Sequence, residues 1–261
     1  MAKFQCNVIS YSLKRTVDIT VIVPTPTIPQ SMGMGMKEGE TPHHTPKAPY
    51  PVLYLLHGVG NNHAQWTGYT KAELYAEEHQ IIIVNVSGEN GFYITNEGGD
   101  DYFRFISEEL PDFVTGIFPA STRVEDTYLA GLSMGGYGTF VHALTFPERF
   151  HAVGLFSAAI GERAETSHPY WADRYKPSWI IEHLKETAYP KFYMACGAKD
   201  VHWFKSGKAY AEKLREHGID VTWDEMEEYG HEWRFWDIQL EKFLKWLPRT
   251  DIYAADGPRQ I

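Results

Sequence analysis

The segment Gly131-Leu132-Ser133-Met134-Gly135 places one serine between two glycines in a G-x-S-x-G pattern. An apolar run, 127–130, comes directly before it, and a helix-compatible stretch, 137–144, follows. This strand–turn–helix setting is expected of a nucleophile elbow, a sharp turn that lifts a reactive serine above the edge of a sheet. The flanking glycines provide clearance, because side chains there would collide with the neighbouring strand and helix. We therefore predict that Ser133 is a nucleophile on a strained turn.

Two other uses of a glycine-rich loop are excluded by residue type and spacing. A phosphate loop of the G-x-x-x-x-G-K-[ST] type needs a lysine, which residues 131–138 do not contain. The dinucleotide spacing G-x-G-x-x-G is also absent from this segment. The pattern therefore favours nucleophilic chemistry over phosphate binding.

A serine hydroxyl is a weak nucleophile and needs a base. In proteins with this elbow an acid and then a histidine follow the serine along the chain. Asp200 lies just past the apolar run 191–195, and His231 lies in a glycine turn before the last helical pattern. The order Ser133, Asp200, His231 predicts a catalytic triad.

The competing assignments around this triad are weaker. The other candidate acids lie in a less suitable place, on a predicted pocket wall or beside a later strand: Asp173, Asp220 and Asp224. His231-Glu232 resembles the start of the zinc motif H-E-x-x-H, but position 235 is Phe, so the second metal ligand is missing. We expect neither a metal nor an organic cofactor.

Acyl transfer also needs two backbone amides that stabilise a negative oxygen. Met134 supplies one of them by its position after the nucleophile. The second comes from a loop after an early strand, and His57-Gly58-Val59-Gly60 follows the apolar run 52–56. We predict Val59 as this donor and give His57 the role of shaping the loop.

The elements that position these residues alternate along the chain. Short apolar runs without polar alternation suit strands buried on both faces; they are 52–56, 81–86, 127–130, 152–156 and 191–195. Helical patterns lie between them, and Val17–Val23 reads as an antiparallel strand. The sequence therefore predicts one α/β domain, 1–261, with a mostly parallel doubly wound sheet and helices on both faces.

Two segments interrupt this rhythm. Residues 24–51 are rich in Pro, Gly and Met and are expected to form an arm or long loop. Residues 161–190 are expected to form an excursion that walls a pocket. Trp66, Trp171 and Trp179 are candidates for lining a substrate pocket, and placement in the core is an equally good interpretation of all three.

Composition narrows the partners. The formal net charge of −10 disfavours nucleic acid and anionic membranes, which need basic surfaces. The 2 cysteines form no metal-binding spacing. The N-terminus lacks the apolar core of a signal peptide, and no apolar run reaches the length of a membrane span, which predicts a cytoplasmic protein.

Taken together, the motifs resemble the esterase D / tributyrin esterase family of α/β-hydrolases. The resemblance covers roughly residues 50–247 and rests on Leu55-Leu56-His57-Gly58, Phe105–Pro111, Gly131–Gly138, Gly197–Asp200 and Gly230–Trp233. It implies a serine carboxylesterase acting on short-chain esters, acetyl to butyryl, with acetylated or feruloylated plant saccharides among the family's substrates. Ser133 would be the nucleophile, His231 the base, Asp200 its orienter, and Val59 and Met134 the oxyanion donors.

Alternatives stay open at this point. An acyltransferase or an S-formylglutathione hydrolase-like thioesterase would use the same triad, although the family's thioesterase branch typically carries a cysteine-bearing loop where this chain has Val59-Gly60-Asn61-Asn62-His63. A non-catalytic binding protein on the same fold is a further alternative. Independently of function, homo-oligomerisation is a candidate, with subunit contact as one role for the arm.

Overall fold

The computed structural model describes residues 1–36, 38–96, 98–259 and 261. It contains one eight-stranded sheet in the order β1-β2-β4-β3-β5-β6-β7-β8. The strands are β1 Ala2–Ser10, β2 Arg15–Val23, β3 Val52–Leu56, β4 Ile82–Val86, β5 Thr127–Leu132, β6 Ala152–Phe156, β7 Lys191–Gly197 and β8 Val221–Met226.

The sheet is mostly parallel, as the sequence predicts. Strands β3 to β8 run parallel to one another. The β1–β2 hairpin is antiparallel, and β2 pairs antiparallel with β4. The predicted α/β-hydrolase fold class is confirmed, and the strand over residues 17–23 joins the sheet through its antiparallel part.

Helices cover both faces of this sheet. They are α1 Ile28–Ser31, α2 Gln65–Tyr69, α3 Ala72–His79, α4 Tyr102–Arg104, α5 Leu110–Ile117, α6 Met134–Thr145, α7 Glu162–Ser167, α8 Pro177–Glu182, α9 Phe204–Glu216 and α10 Trp233–Trp246, with a π-helical turn at Phe105–Glu109. Among the described residues, no helix combines the length and apolar character needed to cross a membrane.

Unbroken apolar strands build two cores, one on each face. In β3, Val52, Tyr54 and Leu56 join the core on the α6 face, whereas Leu53 and Leu55 join the core on the α10 face. Successive strand side chains point to opposite faces, so a strand covered on both sides must be apolar at every position. The continuous apolar run at 52–56 therefore reflects the burial of both faces of β3.

The chain order places a crevice beside β3. From β3 the chain passes to β4 on one side, and then returns to β5 on the other. In doubly wound sheets ligands bind outside the carboxyl ends of the strands where the winding reverses. The loop after β3 and the elbow after β5 lie at this reversal.

Thr25, Gln30 and Ala48, from the segment between β2 and β3, contact residues near the C-terminus. A short helix, α1, lies where the sequence predicts an arm or loop, and Thr27 and Gln30 form a reciprocal capping box at its start. The segment is tied to the C-terminal tail, because Arg259 donates to the Thr25 carbonyl and to Gln30, and the Tyr253 hydroxyl donates to the Ala48 carbonyl.

Candidate active site

Ser133 occupies a sharp turn between β5, which ends at Leu132, and α6, which begins at Met134. Its φ of 53° lies in the left-handed region that L-residues seldom adopt. A Cβ at Gly131 would lie 2.4 Å from the Gly135 backbone, and a Cβ at Gly135 would lie 2.4 Å from the Leu56 carbonyl oxygen. Both glycines are therefore required by backbone contact, as the motif implied.

The structure brings the three predicted triad residues together. His231 Nε2 lies 3.1 Å from Ser133 Oγ, and His231 Nδ1 lies 2.7 Å from Asp200 Oδ2. Since the carboxylate only accepts, Nδ1 carries a proton and Nε2 is free to accept one from the serine hydroxyl. His231 comes from the turn before α10, and Asp200 from the loop after β7.

Asp200 is held as a carboxylate. Burial alone would raise its pKa, but the hydrogen bond from His231 and those from the His202 and Trp203 amides outweigh burial and lower the pKa below its ordinary value. The two amides bind Oδ1 at 3.1 and 3.2 Å, which leaves Oδ2 for the imidazole. The Asp200 side chain is fully buried, whereas that of His231 is 30% exposed.

The two predicted oxyanion donors flank Ser133. Met134 is the first residue of α6, so its amide has no partner within the helix. The loop after β3 runs beside the serine, since a Cβ on Gly58 would lie 3.4 Å from Ser133 Cβ. Among the hydrogen bonds of the described residues, neither the Met134 nor the Val59 amide is a donor. Both remain available to a ligand.

His57 braces this loop from below. It is fully buried; its Nε2 accepts a hydrogen bond from the Gly88 amide, and its Nδ1 lies 2.7 Å from the Gly58 carbonyl oxygen. Only the neutral ring protonated at Nδ1 satisfies both contacts, and burial lowers the pKa of His57 to about 4. Asn90 adds a second brace, because its Oδ1 accepts from the Gly60 amide.

The three tryptophans separate into different environments. Trp66 is fully buried and donates to the Leu56 carbonyl, so the structure places it in the core and not on a pocket. Trp171 stacks on Tyr137, one turn beyond the nucleophile, and lines a 380 Å³ cavity with residues 94–96. Trp179 stacks on His183 at the surface and does not line this cavity.

The sequence profile of the putative esterase family matches residues 30–247. The chain belongs to the putative esterase family. It is accordingly a carboxylic ester hydrolase, and the resemblance to esterases seen in the sequence is confirmed at the level of this family.

Relatives of this esterase cover nearly all of it. An acetyl esterase of Caldicellulosiruptor saccharolyticus is 27% identical over 96% of this chain and 99% of its own length. The fold matches the fluorophosphonate-binding serine hydrolase FphF of Staphylococcus aureus with a TM-score of 0.80 and 24% identity, over 94% of this chain and 98% of that one. An S-formylglutathione hydrolase from the same organism gives a TM-score of 0.78 with the same identity and coverage.

Proposed function

We propose that this esterase hydrolyses short-chain acyl esters through a covalent acyl-enzyme on Ser133. The observation that carries the proposal is the unbroken contact from Asp200 through His231 to Ser133 Oγ, at 2.7 and 3.1 Å. Family membership alone does not name the nucleophile, whereas this contact supplies a serine, a base and an orienting acid in hydrogen-bonding sequence.

The first half-reaction acylates the serine. His231 Nε2 takes the Ser133 hydroxyl proton as Oγ attacks the ester carbonyl, and then passes that proton to the departing alcohol. Asp200 stays ionised, holds the proton on Nδ1 and stabilises the imidazolium formed in between. In the second half-reaction His231 takes a proton from a water molecule as that water attacks the acyl carbonyl, and then returns the proton to Ser133 Oγ as the acid leaves.

Negative charge develops on the carbonyl oxygen in both halves. The Met134 amide meets it at the positive end of α6, and the Val59 amide meets it from the loop after β3. Their readiness is supported by the absence of another acceptor for either amide among the described residues. The braces at His57 and Asn90 hold the second amide in place before substrate arrives.

The choice of a short acyl chain is supported by the acetyl esterase relative that matches this chain over nearly its whole length. Trp171, which stacks on Tyr137, lines the 380 Å³ cavity, and this cavity offers a place for part of the alcohol.

We also propose that residues 1–261 form one domain, because one sheet takes strands from residues 2 to 226.

Turnover of p-nitrophenyl acetate by the wild type and by Ser133→Ala tests the proposal. We expect the variant to lose activity by at least about 1,000-fold while keeping its fold, as removal of a triad nucleophile does in other serine hydrolases. Equal turnover by the two proteins would refute it. A panel running from acetyl to butyryl and feruloyl esters and an S-acyl thioester then ranks the substrates, and added alcohols reveal any acyl transfer.

A further inference from the structure

Ser157 lies one residue beyond the end of β6 and is fully buried, yet its φ is 46°. Left-handed backbone at a buried residue other than glycine is strained, and such strain persists only where surrounding contacts impose it. The side chain of Ser157 has no part in the proposed chemistry. Its neighbours show what the strained conformation achieves.

The backbone on either side of Ser157 grips the nucleophile. The Ser133 amide donates to the Phe156 carbonyl at 2.9 Å, and the Ala159 amide donates to the Ser133 carbonyl at 3.0 Å. The Ser157 amide itself bonds the Ala195 carbonyl of β7 at 2.7 Å. Segment 156–159 therefore holds the strained Ser133 peptide from both ends and ties it to the strand that leads to Asp200.

Ser157 also contacts neighbours of the other two triad residues, through its hydroxyl on the His231 side and through its amide on the Asp200 side. The hydroxyl accepts from Trp236 Nε1 at 3.2 Å, and the Trp236 ring packs edge-to-face on His231 with ring centroids 4.9 Å apart. On the Asp200 side, the Ala195 carbonyl that accepts from the Ser157 amide immediately precedes Cys196, whose thiol donates to Asp200 Oδ2 at 3.7 Å.

The Asp200 carboxylate receives two side-chain donors. Burial raises the pKa of the Cys196 thiol, so the sulfur keeps its proton and remains a donor to Asp200. Asp200 Oδ2 therefore accepts from both the Cys196 thiol and His231 Nδ1.

We propose that Ser157 is a positioning residue that sets the relative placement of Ser133, His231 and Asp200. It does so through the backbone clamp on Ser133, through Trp236, which packs on His231, and through its amide bond to β7, the strand that leads to Asp200. The inference rests on the proposed function of the triad. It adds that alignment depends on a side chain that contacts no substrate.

The test compares Ser157→Ala with Ser121→Ala. Ser121 is a matched control, because it is also buried, accepts an amide from Arg123 and donates to Asp126 at 2.6 Å, but lies before β5 at the opposite end of the sheet. Two rates are measured: labelling by a fluorophosphonate probe, which reports activation of Ser133, and kcat and KM for p-nitrophenyl acetate.

We expect Ser157→Ala to slow both labelling and kcat by about tenfold with KM within about twofold of wild type, since alignment and not binding is lost. Ser121→Ala should label and turn over at the wild-type rate. Wild-type labelling by Ser157→Ala, or an equal loss in both variants, would overturn the inference.

Trp236→Phe gives an independent arm if Ser157→Ala folds poorly, because it keeps a ring and removes only the Nε1–H group that Ser157 accepts. Its control is Trp246→Phe on the same helix, which removes the Nε1–H bond to Thr222 instead. We expect slowing by Trp236→Phe alone, and no additional slowing when it is combined with Ser157→Ala. Multiplying effects in the double variant would contradict a shared chain of contacts.

Different results would refute the proposed function and the positioning role of Ser157. A wild-type protein that labels at Ser133 but hydrolyses no ester in the panel would refute the proposed function and leave the labelling comparison intact. Ester hydrolysis lost in Ser133→Ala but unaffected in Ser157→Ala and Trp236→Phe would refute only the positioning role.

Discussion

Replacing Gly135 with alanine should separate the two halves of the oxyanion hole. An added Cβ would lie 2.4 Å from the Leu56 carbonyl oxygen, 2.6 Å from the Leu56 carbonyl carbon and 2.8 Å from the His57 carbonyl oxygen. All three are backbone atoms, so no side chain can rotate away. Ordinary contact requires the start of α6 and the end of β3 to move apart by about 1 Å.

That displacement acts on the proposed chemistry directly. The Met134 amide moves with α6 and the Val59 amide with the loop after β3, so the site for the carbonyl oxygen widens between them. A misplacement of about 1 Å costs on the order of 100-fold in rate, and loss of one oxyanion donor costs ~100–1,000-fold in kcat. Overpacking of this kind also destabilises a fold by about 1–3 kcal/mol.

The assay measures kcat and KM for p-nitrophenyl acetate together with the midpoint of thermal unfolding. Gly116→Ala is the matched control, because Gly116 lies in α5 and an added Cβ there meets no atom within 4 Å. It should stabilise the protein by about 0.5–1 kcal/mol through helix propensity and leave kcat unchanged. Wild-type kcat and unfolding midpoint in Gly135→Ala would refute the steric argument.

Asp200→Asn should lower kcat by about 10,000-fold, because the amide NH2 that replaces Oδ2 would favour the wrong tautomer of His231. Asp173→Asn, at an exposed site, is the control and should match wild type in the same kinetic assay. Acidification from pH 7 to pH 5 should lower the urea midpoint: burial lowers the pKa to about 4 in each of His57, His79 and His142. Below pH ~6.5 these histidines are protonated in the unfolded chain but stay neutral in the folded protein, so the free energy of unfolding falls by about 2 kcal/mol per histidine by pH 5. A constant midpoint would contradict their burial in the neutral form. Arg259→Ala should speed thermolysin cleavage within residues 24–49 and leave kcat unchanged. Arg259 forms an ion pair with Glu77 at 2.7 Å and donates to the Thr25 carbonyl, and both contacts would be lost. Equal cleavage rates in the variant and the wild type would show that Arg259 does not hold this segment.

The sequence was sufficient for the parts of the site that depend on local backbone geometry. The glycines around Ser133 are required by close contacts around one strand–turn–helix unit, so their spacing can be recognised in the sequence. Asp200 and His231 can also be predicted from the sequence, because Asp200 follows a recognisable strand and His231 lies in a glycine turn. The sheet followed from the unbroken apolar runs, because burial on both faces leaves no position for polar alternation.

The parts that the sequence did not disclose depend on which distant elements lie side by side. Ser157 follows β6 and Trp236 lies in α10, and their hydrogen bond exists only where the assembled sheet brings these elements together. Trp66 illustrates the same limit from the other direction. Its position in the sequence, after the oxyanion loop, is equally consistent with a pocket and with the core. In the structure Trp66 is buried in the core, where its indole N–H donates to the Leu56 carbonyl at the end of β3.

The site of covalent labelling shows whether Ser133 is the nucleophile. The protein is treated with a fluorophosphonate, digested and sequenced by mass spectrometry, with Ser133→Ala treated in parallel. The account predicts a single adduct on Ser133 in the wild type and none in the variant. An adduct on another residue, or equal labelling of Ser133→Ala, would contradict it.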